Sequence, residues 1–306
     1  MTRELGRLET EGRPPALADL DLLPTLEVVR AVVRGHRDVI AAVEAAEPAI
    51  AALADAAAAR LEAGGRMVYA GAGSGGWLAF VDATEWGPTF SVPGDRIVAL
   101  VAGAAHPPGS AAEAAAEDDA AAGAAALRAL QPRAEDVVVA VSASGRTPYA
   151  LGALETARAA GALTGAVVSA TGSELARRAD LVVAVPVGPE VLSGSTRLKA
   201  GTAQKLVLNA FSTAVMVRRG RTLGDLMTSM RVANDKLRDR AVRVCVAAAC
   251  CGEEAARAAL AAAGDDVSLA IVMLARAVDA DTGRALLDAC GGALRPALRA
   301  DVPKRV

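Results

Sequence analysis

Short apolar runs recur along the first two thirds of the chain, and this recurrence restricts the fold more than any other feature. The runs are Met67–Ala70, Arg96–Ala102, Asp136–Val141, Leu163–Ser169 and Leu181–Val185. Most lead into a loop of small or hydroxyl-bearing residues and then into a segment with helical spacing. The first run ends in a turn built from Gly71, Gly73, Gly75 and Gly76 with Ser74, and the third in Ser142, Ser144, Gly145 and Thr147. Strand, loop and helix in alternation predict an α/β fold, a doubly wound five-stranded parallel sheet flanked by helices. In such a sheet ligands bind beyond the carboxyl ends of the strands, so both hydroxyl loops are expected on one edge.

The segments outside this core have their own patterns. Leu20–Ile40 and Val43–Leu61 have the spacing of scaffold helices, and Gly64-Gly65 stops the second. Ala111–Leu130 and Leu151–Ala160 are expected as helices, as is Leu223–Val242. A long helix runs from the polar loop at Gly188–Lys199 to Arg219, and a small alanine-rich helical unit follows from Cys250. The expected division is residues 1–56 as an N-terminal arm and helices, 57–220 as the ligand-binding domain and 221–306 as a C-terminal helical region.

Charge and composition exclude several classes of function. The chain of 306 residues carries 33 basic and 35 acidic side chains with only 2% aromatics, so it offers no basic stripe or stacking surface for nucleic acid. The charged start MTRELGRLETEGRPP lacks a signal-peptide core, and no apolar run is long enough to span a bilayer. Cys245, Cys250, Cys251 and Cys290 form no CxxC pair and are expected as buried thiols of a reducing cytoplasm. His36 and His106 are the only histidines, too little material for a histidine metal site or a Ser-His-Asp triad.

The loops specify a ligand class. Ser74, the group Ser142, Ser144 and Thr147, and the group Ser193, Ser195 and Thr196 ahead of Lys199 supply neutral hydroxyls and backbone N–H groups. Such donors suit a phosphate monoester held without a metal. GxxxxGK[ST] is absent, and no ribose-binding acid follows Gly71-Ala72-Gly73, which favours a sugar phosphate over a nucleotide. Carboxylates near these loops are Glu85, Glu117 and Glu190, with Asp82, Glu113 and Asp118 beside them. Glu85 is expected to end its helix before a Gly87-Pro88 stop, among neighbours whose apolar character desolvates its carboxyl.

Longer motifs then become specific. They are Asp82-Ala-Thr-Glu85 with Pro88-Thr89-Phe90, Ala116-Glu117-Asp118-Asp119, Ala143-Ser144-Gly145-Arg146-Thr147-Pro148-Tyr149, GPEVLSGSTRLKAGTAQKLVLN over Gly188–Asn209, and Asn234-Asp-Lys236-Leu. With these the chain resembles the N-acetylmuramic acid 6-phosphate etherases of the sugar isomerase (SIS) fold group, from a Thr10-Glu11 arm to a helical C-terminal domain. The resemblance implies a cytoplasmic, cofactor-free homodimer of amino sugar metabolism in peptidoglycan recycling. It implies elimination of the lactyl ether and addition of water, giving N-acetylglucosamine 6-phosphate and D-lactate. Glu85 matches the family's proton donor and Glu117 its second catalytic carboxylate, the base at C2. Ser74, Gly75, Ser142, Ser144, Gly145, Thr147, Glu190, Ser193, Ser195 and Lys199 fall on the loops that bind substrate and phosphate.

The chain departs from the family where GAGTSGR is usual. Here Ser74-Gly75-Gly76-Trp77 lacks one hydroxyl and one guanidinium, Trp86-Gly87 stands for Cys-Pro, and Ser142 adds a hydroxyl that the family often lacks. Two other functions fit the same fold group: a non-catalytic sugar-phosphate regulator, favoured by Trp77, and an aldose-ketose isomerase with a base such as Glu190.

Overall fold

The computed structural model describes residues 12–13, 19–107 and 110–301. The Thr10-Glu11 arm and the Pro14-Pro15 pair lie outside them. Five strands, β1 (Met67–Gly71), β2 (Ile97–Val101), β3 (Val137–Ser142), β4 (Leu163–Val168) and β5 (Leu181–Ala184), form one sheet in the order β2-β1-β3-β4-β5. Every pairing is parallel. β1 and β3 are buried at every residue, as strands covered on both faces must be, whereas the edge strands β2 and β5 are half-open.

The helices are α1 (Thr25–Gly35), α2 (Arg37–Glu62), α3 (Gly73–Phe90), α4 (Ala111–Ala116), α5 (Ala120–Ala129), α6 (Pro148–Ala159), α7 (Glu174–Arg178) and α8 (Lys199–Arg218). Beyond them lie α9 (Asp235–Ala249), α10 (Glu253–Ala262), α11 (Val267–Arg276), α12 (Ala280–Ala289) and α13 (Leu294–Ala297). One face of the sheet carries α5 and α6, where Val68, Ala70, Val138 and Ala140 meet Leu127, Ala153 and Leu154. α2 packs against β3, β4 and β5, and a Cβ on Gly165 would lie 2.9 Å from Leu53 Cδ1.

The chain divides into two compact units, one taking in the chain up to Ala83 with Asp95–Ser212, the other Thr84–Gly94 with the chain from Thr213. α2 is continuous through residues 56 and 57, where a domain boundary was expected. The second unit has its own core, in which Val242 and Cys245 of α9, Leu260 of α10, Ile271 of α11 and Leu286 of α12 are buried together. Asn234, Asp266 and Asp279 cap α9, α11 and α12 through side-chain bonds to the backbone N–H of the first turn. No single helix among the described residues is long and apolar enough to cross a membrane.

Several expected elements are corrected. α3 starts at Gly73, so Gly73, Gly75 and Gly76 form its first turn rather than a flexible loop, while Gly71 ends β1, and the helix runs through Gly87 and Pro88 to Phe90 instead of ending at Glu85. The Ala111–Leu130 segment breaks at Glu117–Asp119, because the Asp119 side chain accepts from Ala122 N and starts a new helix. Leu223–Asn234 is irregular where a helix was expected, and regular structure resumes only at the Asn234 cap. Of the four cysteines only Cys245 is buried, and Cys250 is exposed at the left-handed end of α9.

Candidate active site

The sheet order reverses between β1 and β3, and Gly71 pairs with Val141 across that step. The loops that follow these two strands therefore open side by side, at the position where α/β sheets bind ligands. The start of α3 is pressed onto the strand ends. A Cβ on Gly71 would lie 2.8 Å from Val141 O, one on Gly75 3.1 Å from the same atom, and one on Gly76 2.8 Å from the Gly71 carbonyl carbon. The buried glycines bring the helix N-terminus onto the β1 and β3 ends, and Ser74 stands exposed on its first turn. Free N–H groups of that turn, reinforced by the helix dipole, form an anion-binding end.

The loop after β3 is held by its own hydroxyls. Ser142 Oγ lies 2.8 Å from Thr147 Oγ1 and 3.4 Å from Ser144 Oγ, and it accepts from Gly145 N at 3.0 Å. Gly145 takes a positive φ of 62°, and a Cβ there would run into the Ser173 side chain. Thr147 Oγ1 donates to Glu117 Oε1 at 3.0 Å, and Tyr149 N donates to Glu117 O at 3.0 Å. Glu117, in the break between α4 and α5, is thus joined to the hydroxyl loop through both its side chain and its backbone. Its second carboxylate oxygen accepts no hydrogen bond from the described residues.

Packing explains why Glu117 sits there. α5 and α6 touch backbone to backbone: a Cβ on Gly123 would lie 1.9 Å from Tyr149 O, and one on Gly152 1.9 Å from Ala120 O. Only glycine allows that approach, and it fixes the break that bears Glu117 against the start of α6.

Other expected site residues have different surroundings. Glu190 is fully buried, and its two oxygens accept from Lys199 N and Ala200 N, each at 2.9 Å. It caps α8, which leaves no free carboxylate oxygen to serve as an isomerase base. Lys199 is buried and its Nζ donates to Val187 O. Ser193 is exposed and Ser195 half-buried in the turn before α8, with no side-chain hydrogen bond to described residues.

Glu85 is exposed on α3, whereas Trp86 is 1% exposed and turned inward. Adjacent positions on a helix face different ways, so the expected desolvation of Glu85 by its neighbour does not arise within the chain. Asp82, on the same helix, is buried and accepts from Tyr69 Oη at 2.7 Å and Ser212 Oγ at 2.9 Å, which makes it an internal anchor.

One residue escaped sequence reasoning. Gln204 on α8 is 2% exposed, its Oε1 lies 3.4 Å from where a Gly75 Cβ would stand, and its Nε2 has no partner among the described residues. Its place within Gly201-Thr202-Ala203-Gln204-Lys205 of the resembling stretch was the available signal. Trp77, which takes the place of a guanidinium, donates from Nε1 to Glu113 Oε1 at 2.8 Å and stands edge-on to Phe80.

Comparison with known proteins identifies the family. Residues 35–158 match the model of the glucokinase regulatory protein N-terminal SIS domain, and residues 121–214 that of the SIS domain. The N-acetylmuramic acid 6-phosphate etherase of Streptomyces avermitilis is 48% identical over 299 residues, 97% of this chain and 95% of that protein. The chain belongs to the N-acetylmuramic acid 6-phosphate etherase family. A second etherase, from Rubrobacter xylanophilus, is 49% identical over 298 residues, 97% of this chain and 98% of its own length. A phosphoheptose isomerase from Francisella tularensis has 20% identity and a TM-score of 0.48 over 63% of this chain and 98% of that one. Relative to the etherase pattern GAGTSGR, Gly75 removes a hydroxyl at a point where a Cβ would be crowded by Val141 O. Where the guanidinium is lost, the indole N–H of Trp77 is given to Glu113.

Proposed function

We propose that this chain cleaves the lactyl ether of N-acetylmuramic acid 6-phosphate, giving N-acetylglucosamine 6-phosphate and D-lactate. The observation that supports the reading is the chain of contacts from Ser142 through Thr147 to Glu117, which joins a carboxylate to the hydroxyl loop after β3. The phosphate is received by the first turn of α3 with Ser74 and Gly75, and by Ser142, Ser144, Gly145 and Thr147. Ser193 and Ser195 close it from the turn before α8. Hydrogen bonds to a charged phosphate contribute about 1.5–3 kcal/mol each, enough to hold it without a metal.

In the ring-opened sugar the C1 aldehyde acidifies the C2–H bond. Glu117 takes the C2 proton through its open oxygen, and the C–H electron pair becomes the C2=C3 double bond as the C3–O bond breaks. Glu85 gives a proton to the departing lactate oxygen. Water then adds its oxygen to C3 and a proton returns to C2, so no cofactor or oxidant is required. Two carboxylates in different environments divide these roles.

The assembly that fits is a homodimer. Leu26, Val29 and Val33 of α1 and Ile40 of α2 are each more than half exposed, and Phe80 and Val81 of α3 add a second apolar patch. A second copy is the partner that the etherase reading supplies for these faces. The phosphorylated substrate and the free thiols favour a cytoplasmic location. The test is D-lactate release from the muramic acid phosphate by purified protein. Release that disappears in Glu117→Gln while the variant stays folded supports the reading. Lack of release by fresh wild-type protein across a broad pH range rejects it.

A further inference from the structure

The C-terminal unit contains a cavity of about 250 Å³ that the etherase chemistry does not use. It is lined by Arg221, Arg231, Arg284, Asp266, Ser229 and Ser268 among others. The geometry points to a second ligand site there, for a small oxyanion bearing a carboxylate or a phosphate. Charge accounting carries the inference. Asp266 is spent: one oxygen accepts from Leu269 N at 3.0 Å as the cap of α11, and the other pairs with Arg284 at 2.8 Å. Asp265, also on the wall, pairs with Arg238 at 2.6 Å.

Arg221 and Arg231 are left without a carboxylate partner among the described residues. Arg221 is half-buried, and among the described residues its guanidinium finds only the Gly291 carbonyl, at 3.2 Å. Its place is made by Gly292, whose φ is 78° and where a Cβ would stand 2.5 Å from Arg221 Nη1. Burial pulls the Arg221 guanidinium below its ordinary pKa, with Asp266 acting in the opposite sense. A partly desolvated cation that makes no ion pair of its own is costly unless an anion completes it. The planar guanidinium fork suits a two-oxygen acceptor, and the Ser229 hydroxyl stands on the same wall, 3.5 Å from Ser268 Oγ, which itself donates to Thr228 O.

The experiment titrates inorganic phosphate, D-lactate and N-acetylglucosamine 6-phosphate separately into a Ser142→Ala/Thr147→Val variant by calorimetry. That variant weakens the cradle after β3, and the response to Arg231→Met separates binding left there from binding in the C-terminal cavity. Saturable binding of at least one probe, weakened about tenfold or more by adding Arg231→Met, is the expected result. Arg231 is exposed, so this change leaves the packing intact. Phosphate and lactate arms distinguish the two kinds of oxyanion. Absence of saturable binding to the cradle variant up to about 10 mM of every probe, or binding unmoved by Arg231→Met, overturns the site. Failure of the lactate-release assay leaves this result unaffected, because no turnover is measured.

Discussion

The bond from Thr147 Oγ1 to Glu117 Oε1 is the smallest unit on which the proposed catalysis depends. It holds one carboxylate oxygen, and in the proposed mechanism the other takes the substrate proton. Thr147→Val keeps the shape and removes the donor, so kcat should fall about tenfold or more through misplacement of the base, while thermal stability changes little. Steady-state lactate release beside a melting curve checks both parts. The cysteines supply a second test at this scale. Burial, with a smaller contribution from Cys251, pushes the Cys245 thiol up to about 12, so it stays protonated and inert at neutral pH. Alkylation followed by peptide mapping should label the exposed Cys250 first and Cys245 only after denaturation.

At the scale of elements, the contact between α5 and α6 bears on stability and on the proposed catalysis together. Gly152 faces the Ala120 carbonyl so closely that even a methyl group cannot be added without parting the helices. Gly152→Ala should therefore destabilise the protein by about 1–3 kcal/mol through overpacking. The same displacement moves the start of α6 relative to the break that bears Glu117, so kcat should drop as well. Urea unfolding and lactate release measured on one preparation test whether the two losses occur together. The small residues of this pair, Gly123 and Gly152, stand out in the sequence only as ordinary members of alanine-rich helices. Their role emerges from the distance between two backbones, which spacing along one chain does not encode.

At the scale of the whole molecule, Asp136 ties the beginnings of β1 and β3 together. It accepts from Arg66 N at 2.8 Å, from Arg66 Nη2 at 2.6 Å and from Arg133 N at 3.0 Å. Burial alone would raise its pKa, but the donors of Arg66 and Arg133 outweigh it and hold the carboxyl below its ordinary value of 3.8. A depressed folded-state pKa means that this stabilisation is complete above the unfolded value and is lost as pH falls through the folded one. Asp136→Asn should cost about 2 kcal/mol at pH 7, and the gap from wild type should narrow below about pH 4, as urea midpoints at the two pH values would show.

The assembly has a test of its own. Glu85 is exposed on α3, whereas Glu117 is bonded to the loop after β3, so the proposed site draws its two carboxylates from different surroundings. In a dimer with shared sites, mixing refolded Glu85→Ala and Glu117→Ala subunits should restore about a quarter of wild-type lactate release, because half the dimers are mixed and each has one intact site. The sequence by itself determined the parallel sheet, its hydroxyl loops and the family, because apolar runs, small-residue turns and long ordered motifs are local. Only the tertiary structure decided that Glu190 caps α8, that Glu85 is exposed while Trp86 is buried, and that Glu117 belongs to the Ser142 loop. Those outcomes depend on which backbone N–H groups and hydroxyls from distant segments reach a given carboxylate, and packing in three dimensions sets that.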